Sequence, residues 1–400
     1  MKRKKGNITI GKTLLICSML LFITTSEFSS ISSCQGVLIE EGLVPLEEKE
    51  FCHQIVAQDE FVYLFVMNYT YNEEDHLYQK DYSYLDIVNV SQLNNTQRMG
   101  RYYLTKGETL HEIVIQENTA FLLSSIFRGE NYRYNTTVTL LNVINPSLPS
   151  LISEYREDNT SSVYDLACYQ NYVYISSHSV LKIIDFTNIS EPTLVTESPL
   201  PAGTWENYVE ISEGNLYLCN NRTLQVYNLT NPKQPILVGE YPNLETDPLG
   251  MEVIGKQVYI TYRASGFLMV DFSDAANPSL KAEYHFPKRH IDPGGTIEDF
   301  VIAGETIFTC AQYLFTLSIK HSQFIRLKSF THIQGWGEKL CANEEAIFVS
   351  TGDKVIIFTY QYQPTKLIIG LSVSGGIILV TTLSIIVILQ YKKQKKKKGE

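Results

Sequence analysis

The stretch "VLKIIDFTNISEP", residues 180–192, runs from alternating apolar residues into an Asn-containing turn that ends at a proline. The same pattern recurs as "LQVYNLTNPKQP", which ends at Pro235, and as "FLMVDFSDAANP", which ends at Pro278. With "LLNVINPSLP", which ends at Pro149, successive prolines of this series are 43 residues apart. A period of this length indicates a repeat architecture in which each copy is one supersecondary unit.

Seven copies are found when the Asp of "IIDF" is taken as position zero of the repeat. The equivalent residues are Asp86, Asn142, Asp185, Asn228, Asp271, Ser318 and Phe358. Tyr, Val and Ile dominate each copy, and Asn, Ser, Gly and Pro separate the apolar runs, which predicts short strands joined by turns. A four-stranded sheet with two apolar faces cannot bury both faces alone, so such sheets stack around an axis. The sequence therefore predicts an all-β, seven-bladed β-propeller.

The last copy, residues 338–362, has only three predicted strands before the chain passes Pro364 into an apolar segment. Residues 36–45, "GVLIEEGLVP", precede the first copy and have the pattern of an isolated strand. We predict that this segment supplies the fourth strand of the seventh blade and so closes the ring. An open array of sheets is the alternative, but it would leave a long unpaired edge.

Both chain ends predict a membrane protein whose propeller, residues 34–363, lies outside the cell. Residues 1–33 combine a basic start, an apolar run and Ser-rich sequence, which is typical of a secretory signal peptide; an uncleaved anchor is the alternative. Residues 367–389 are uncharged and mostly apolar, and the lysine-rich tail 390–400 follows them. This pattern predicts one transmembrane helix, a cytoplasmic tail and type I topology in the plasma membrane.

The exterior segment is strongly acidic, because residues 34–365 carry 21 Lys and Arg against 41 Asp and Glu, a net charge of −20. This balance disfavours nucleic acid and anionic surfaces as partners, and it favours cations or basic partners. Eight Asn-x-Ser/Thr sequons within this exterior segment predict a surface glycoprotein. They begin at Asn68, Asn89, Asn94, Asn135, Asn159, Asn188, Asn221 and Asn228.

Six cysteines lie beyond the signal segment, and their spacing fits no metal site. They are Cys34, Cys52, Cys168, Cys219, Cys310 and Cys341. Six cysteines permit about fifteen pairings, and single cysteines in strands are most often core residues. The chain has no nucleophile elbow, no phosphate loop and no His-Glu-x-x-His motif. We therefore predict no catalytic residue and no cofactor, and we leave open whether a metal binds.

The segment "KIIDFTNISEPTLV" and its relatives resemble the LVIVD repeat, a family of predicted β-propellers in secreted and membrane proteins. The family pattern approximates apolar-Val-Asp-apolar-Ser/Thr-Asn/Asp-Pro-x-x-Pro. Copies two to five, about residues 105–287, carry it clearly, whereas copy one lacks the proline and copies six and seven keep only the strand spacing. The resemblance implies a propeller and no catalytic residues, because the biochemical role of the family is largely undefined.

The first strand of each copy should line the central channel. Counting nine residues back from the aromatic residue of each second strand gives Gln54, Glu112, Asp165, Tyr208, Gly250, Asp299 and Lys339. We predict that Glu112, Asp165 and Asp299, with the adjacent His53 and His111, form an acidic ligand-binding mouth. The alternative is that these side chains hydrogen-bond to amides within or between blades.

A second candidate surface is a tyrosine-rich rim formed by insertions in copies one and two, residues 67–84 and 127–138. The insertions contain Tyr69, Tyr71, Tyr78, Tyr82, Tyr84, Tyr132 and Tyr134, of which all but Tyr84 are the predicted interaction residues. Rigid aromatic rings with a polar tip suit adaptable recognition surfaces. The alternative is a long hairpin whose tyrosines pack on one another.

These features together predict a single-pass cell-surface protein whose propeller binds a protein, a glycan or an envelope component without catalysis. The first alternative is a membrane-tethered hydrolase or metal-binding propeller that uses the channel acids, which would then converge in one concave pocket. The second alternative is a structural coat component.

Overall fold

The computed structural model describes residues 35–72, 77–129, 133–200, 207–220, 222–242, 244, 248–262, 266–286, 297, 299–320, 324–363, 370–373 and 376–379. The chain divides into two compact units. The larger unit, Leu38–Tyr360, holds seven four-stranded sheets arranged as the blades of a β-propeller. The predicted all-β, seven-bladed fold is therefore confirmed.

Strand β1 (Gln35–Pro45) precedes the first blade. Blade 1 contains β2 (Glu50–Gln58), β3 (Phe61–Asn72), β4 (Leu77–Asn89) and β5 (Gln97–Tyr103). Blade 2 contains β6 (Thr109–Gln116), β7 (Thr119–Phe127), β8 (Tyr134–Asn142) and β9 (Ser150–Thr160). Blade 3 contains β10 (Val163–Tyr169), β11 (Tyr172–Ser177), β12 (Val180–Asp185) and β13 (Thr193–Pro199).

Blade 4 contains β14 (Tyr208–Ser212), β15 (Asn215–Asn220), β16 (Thr223–Asn228) and β17 (Ile236–Tyr241). Blade 5 contains β18 (Pro248–Ile254), β19 (Gln257–Tyr262), β20 (Gly266–Asp271) and β21 (Ser279–His285). Blade 6 contains β22 (Asp299–Ala303), β23 (Thr306–Cys310), β24 (Tyr313–Lys320) and β25 (Phe324–His332). Blade 7 contains β26 (Lys339–Ala342), β27 (Ile347–Ser350) and β28 (Lys354–Gln363).

Strand order explains how the ring closes. In blades 1 to 6 the four strands lie side by side in chain order, and the first strands of neighbouring blades contact one another around the axis. Blade 7 has the order β1-β28-β27-β26, so β1 is its outer strand, as predicted. Val44 of β1 is 1% exposed and packs in a core cluster with Val62 of blade 1 and Phe348 of blade 7. The N-terminal strand therefore joins the last blade to the first.

An Asx turn ends the third strand of five blades, which explains the repeated Asn or Asp. The side-chain oxygen of Asp185 accepts the N–H of Thr187 at 2.7 Å, and equivalent bonds occur at Asn142, Asn228 and Asp271. In blade 1 the equivalent residue is Asn89, whose side chain accepts the N–H of Ser91 at 3.0 Å. Asn and Asp favour such turns because their short side chains reach the amide two residues later.

The repeat phase predicted for the first and last copies is wrong by a few residues. Asn89 pairs with Phe61, two residues before Tyr63, whereas Asp86 pairs with Leu64. The first copy has a longer hairpin and no proline, and its "LDIV" resembles "IIDF" three residues before the equivalent turn residue, Asn89. In blade 7, Phe358 pairs with Ile347, which is one residue off the equivalent register.

Glycines let the turn of each next blade approach the outer strand at several interfaces. A Cβ atom on Gly239 of β17 would lie 1.8 Å from the carbonyl oxygen of Ala275 in blade 5. On Gly100 of β5 it would lie 2.3 Å from the carbonyl oxygen of Pro146 in blade 2. Only glycine allows this backbone approach.

Five cysteines of the propeller are free thiols: Cys52, Cys168, Cys219, Cys310 and Cys341. Four of them are buried, and burial raises the pKa of Cys52 to about 12. This agrees with the interpretation that strand cysteines are core residues. Cys34 lies outside the described residues.

The second unit comprises the chain ends, Met1–Val37 and Gln361–Glu400. Its described part includes the paired strands β29 (Gly370–Val373) and β30 (Gly376–Leu379). The predicted signal segment, the tail and the remaining residues of 367–389 lie outside the described residues. Within the part of the chain that the structure describes, no helix is long and apolar enough to cross a membrane.

Candidate functional site

The inner strands of all seven blades line one cavity of about 970 Å³. Each of the seven positions obtained by counting back from the second-strand aromatics borders it: Gln54, Glu112, Asp165, Tyr208, Gly250, Asp299 and Lys339. Their pairing is equivalent from blade to blade, for example Glu112 with Leu123 and Asp165 with Ser176. In each case the partner is two residues after the counted aromatic, so the alignment of the seven inner strands is correct.

β-Bulges direct four further side chains to the same cavity. The pairing skips one residue in β2, β6, β10 and β18, and the skipped residues are His53, His111, Tyr164 and Leu249. All four line the cavity. A bulge adds a residue to one strand and re-aims its side chain, so this irregularity places the two predicted histidines beside the predicted acids.

Glu112 and Asp165 have both carboxyl oxygens engaged by the protein. Asp165 accepts the N–H of Leu166 at 2.7 Å and the N–H of Val209, in the next blade, at 2.8 Å. Glu112 accepts the N–H of Ile113 at 2.9 Å and the side-chain N–H of Gln54 at 2.8 Å. These carboxyls therefore hold the ring together, which is the alternative that the sequence left open.

Asp299 forms the same kind of bond, because its Oδ2 accepts the N–H of Leu340 in blade 7 at 2.9 Å. Two acids that counting back nine residues did not find form the same type of bond between blades. Glu210 accepts the N–H of Val253 at 2.7 Å, and Glu252 accepts the N–H of Ile302 at 2.9 Å. Blades 4 and 5 carry their acid two residues after the counted position. Since residues two apart lie on one face of a strand, searching that next position would have found both.

Burial keeps much of this acid ring uncharged at neutral pH. It raises the pKa of Glu112 to about 8, with a smaller contribution from Asp165, and the pKa of Glu252 to about 8. Burial, and then the nearby Glu252, raises the pKa of Glu210 well above its ordinary value. The pKa of Asp165 is raised by burial to about 6, although two amide bonds oppose the shift. Burial therefore lowers the negative charge of the predicted acidic mouth at neutral pH, and its role in ligand binding stays a prediction.

Three cavity residues are placed to contact a ligand. The carboxyl group of Glu210 uses its Oε2 atom to accept a hydrogen bond, whereas its Oε1 atom has no hydrogen-bond partner among the described residues. Lys339 makes no hydrogen bond or close ion pair with any described group, although the charge of Asp299 raises its pKa. The indole of Trp336 is 38% exposed and borders the cavity. The site thus offers a carboxyl oxygen, an ammonium group and an aromatic face.

The tyrosine-rich rim is described in part. Tyr71 pairs with Tyr78 across the β3–β4 hairpin, but their side chains and all of Tyr132 lie outside the described part. The rings of the other rim tyrosines pack on neighbours: Tyr69 on Phe51 at 5.8 Å, Tyr82 on Tyr84 at 6.0 Å and Tyr134 on Phe127 at 5.3 Å. Of these contacts, only Tyr82–Tyr84 joins two tyrosines, whereas Tyr69 and Tyr134 pack on phenylalanines. A role of the rim in recognition stays a prediction.

The sequons differ in their surroundings. Asn68 is only 8% exposed, whereas Asn94, Asn159 and Asn188 are exposed. Asn89 and Asn228 are the turn residues that end the third strands, and Asn188 accepts the N–H of Ser190 at 3.3 Å in a similar turn. The repeat itself therefore produces three of these sequences. Asn135 is half-buried, and Asn221 lies outside the described residues.

No group of three or more His, Cys, Asp or Glu residues within the described ranges is arranged to hold a metal ion.

Comparison with known proteins supports the fold. The LVIVD repeat model matches residues 161–198 and 250–285, which lie in predicted copies three and five. The chain thus carries LVIVD repeats, consistent with the family of LVIVD-repeat β-propellers. No curated protein matches it.

Solved structures with a similar fold have little sequence identity with this chain. The WD40 β-propeller domain of Doa1 is 11% identical, with a TM-score of 0.53 over 81% of this chain and 97% of that chain. A functionally unknown protein from Desulfotomaculum acetoxidans is 10% identical, with a TM-score of 0.53 over 67% of this chain and 86% of that chain. The computationally designed Ika8 protein is 9% identical, with a TM-score of 0.52 over 80% of this chain and all of that chain. These likenesses concern the fold alone.

Proposed function

We propose that this LVIVD-repeat propeller is a non-catalytic binding module on the cell exterior, and that it binds a hydroxyl-rich group such as a sugar ring in the inner-strand cavity. The observation that carries the proposal is the composition of that cavity: buried carboxyls held mostly neutral, and an exposed indole that borders the same space.

The size of the cavity suits a ligand of a few sugar units. Ligand pockets usually measure about 300–1,000 Å³, and this one is about 970 Å³. A neutral carboxyl donates one hydrogen bond and accepts others, as a hydroxyl group also does. Glu210 has an oxygen with no described partner, so it can bond to a sugar hydroxyl without the loss of a protein contact. The indole of Trp336 supplies an apolar face for the C–H side of a sugar ring.

The proposed location rests on the sequence. The signal-like segment 1–33, the apolar segment 367–389 and the lysine-rich tail favour an exterior propeller held by one membrane span. A binding module in this position meets glycans or proteins outside the cell. Nucleic acid is not an expected partner, because the exterior segment has a net charge of −20.

A cationic ligand is the second candidate, and the number of acids at the cavity favours it. Binding an ammonium group would require the neutral carboxyls to ionise, at about 1.4 kcal/mol for each pH unit below their pKa. The two candidates therefore respond to pH in opposite directions. Saccharide affinity should fall as the carboxyls ionise, whereas cation affinity should rise.

Calorimetric titration of the full-length chain in detergent tests the proposal with a panel of neutral oligosaccharides and with spermidine. We expect a saccharide to bind and Trp336→Ala to weaken it at least about tenfold, through loss of the indole face. Leu148→Ala, at a 71% exposed site outside the cavity, is the matched control and should change nothing. Glu210→Gln should retain saccharide binding but weaken spermidine. Binding of spermidine alone would replace the first candidate with the second.

A further inference from the structure

The same type of hydrogen bond crosses four successive blade interfaces near the axis. In each, a carboxyl oxygen on one inner strand accepts a backbone N–H of the next inner strand. The bonds are Asp165 to Val209 at 2.8 Å, Glu210 to Val253 at 2.7 Å, Glu252 to Ile302 at 2.9 Å and Asp299 to Leu340 at 2.9 Å. Glu112 joins blades 1 and 2 through the side-chain N–H of Gln54 at 2.8 Å. We call these five acids the latch carboxyls.

The latch carboxyls face one another, because the ring brings them to one axis. Glu112 faces Asp165 and Asp299, and Glu210 faces Glu252, Asp165 and Glu112. Glu252 also faces Asp299. Each carboxyl is tied to the neighbouring blade, so ionised carboxyls cannot move apart without breaking a bond between blades.

Other titratable groups near the latch offset little of this repulsion. Lys339 faces Asp299, Glu112 and Asp165, and it is the one lysine that borders the described cavity. His53, His111, Tyr164, Tyr208 and Glu338 border the same space. Fully ionised, five latch carboxyls would therefore oppose one lysine, with Glu338 adding a further negative charge.

Protonation removes the repulsion and keeps the hydrogen bonds between blades, although Glu112 and Asp165 then give up the bond that their other oxygen accepts within its own strand. The carbonyl oxygen of a neutral carboxyl still accepts an amide N–H, and its O–H becomes a new donor. We propose that the latch carboxyls are a proton-operated device, which tightens the ring in acidic medium and strains it in alkaline medium.

The direction follows from linkage between protonation and folding. The pKa values of Glu112 and Glu252 are raised by burial from 4.5 to about 8, so the folded chain holds these protons more tightly than the unfolded chain. The stabilisation is complete below pH 4.5 and is lost as the pH rises through about 8. Folded proteins more often lose stability on acidification, because their carboxylates are stabilised in the charged form.

Thermal unfolding of the full-length chain in detergent, followed by circular dichroism, tests the device without any ligand. We expect a melting temperature at least about 5 °C higher at pH 5.5 than at pH 8.5. The double variant Glu112→Gln and Glu252→Gln keeps an amide-accepting oxygen at both sites but cannot ionise, so it should lose at least about half of that difference. Glu154→Gln, in a surface ion pair with Arg156, is the matched control and should keep it.

Two results would overturn the proposal: a wild-type chain that melts lower at pH 5.5, or a double variant with the full wild-type difference. A second measurement covers a double variant that does not fold. Unfolding the wild-type chain by heat in unbuffered solution at pH 7 should release about two protons from Glu112 and Glu252, with a further contribution from Glu210, and acidify the solution, because the unfolded carboxyls ionise. Proton uptake in that experiment would contradict the device, whether or not a saccharide binds the cavity.

Discussion

Replacing Val44 with alanine should test whether the side chains of β1 that pack between blades 7 and 1 stabilise the ring, beyond the backbone hydrogen bonds of the strand. Val44 is 1% exposed and packs between blades 7 and 1, whereas the adjacent Leu43 is 46% exposed on the opposite face of β1. Val44→Ala removes two buried carbon atoms, worth about 1.6 kcal/mol, and leaves a small cavity. We expect the free energy of unfolding to fall by about 2–3 kcal/mol. Leu43→Ala should change it by less than about 0.5 kcal/mol.

Urea denaturation followed by circular dichroism measures this difference, because the transition midpoint shifts with stability while the slope reports the surface exposed. A lower midpoint with an unchanged slope is expected for Val44→Ala. Equal effects of the two alanine substitutions would refute the packing of β1 between the first and last blades. A strand attached only by its backbone would show no difference between its two faces.

Three further predictions concern other parts of the propeller. Asp86→Asn should lower the free energy of unfolding by about 3 kcal/mol in the same urea assay, because it breaks the buried ion pair with Arg101. Glu154→Gln, which breaks an exposed ion pair with Arg156, should change it by at most about 1 kcal/mol. Gly239→Ala should lower the melting temperature by several degrees, since its Cβ atom would meet the turn of blade 5; an unchanged value would contradict that contact. After secretion from eukaryotic cells, peptide mapping should find a glycan at the exposed Asn94 and none at the buried Asn68.

The ring could be predicted from sequence because its turns are local. Asp185, Asn228 and Asp271 each bond to an amide two residues later, so the same residue types recur at the same spacing. The turn residue of the first copy, Asn89, could not be identified from the sequence, because the hairpin of this copy is longer and Asp86 has the residue type expected at the turn. Asp86 instead forms a buried ion pair with Arg101 at 2.6 Å, which depends on a strand partner that the sequence does not specify.

The sequence could predict where the candidate site lies, but it could not predict the protonation state of the acids there. Strand register placed Glu112, Asp165 and Asp299 at the axis, and the counting rule needed only the recurring aromatics. Glu210 and Glu252 were missed because their blades carry the acid two residues after the counted position, at the next residue on the same face of the strand. The protonation of these carboxyls depends on their burial and mutual distance across blades, which no local pattern records.

The central claim is that the largely neutral carboxyls and Trp336, which line one cavity, bind a hydroxyl-rich ligand. The most direct test is calorimetric titration of the tightest-binding neutral oligosaccharide of the panel at pH 6 and at pH 8.5. We predict that affinity falls at least about tenfold at the higher pH, because Glu112, whose pKa burial raises to about 8, then loses its proton. An affinity that rises with pH, or that Trp336→Ala leaves unchanged, would contradict the account.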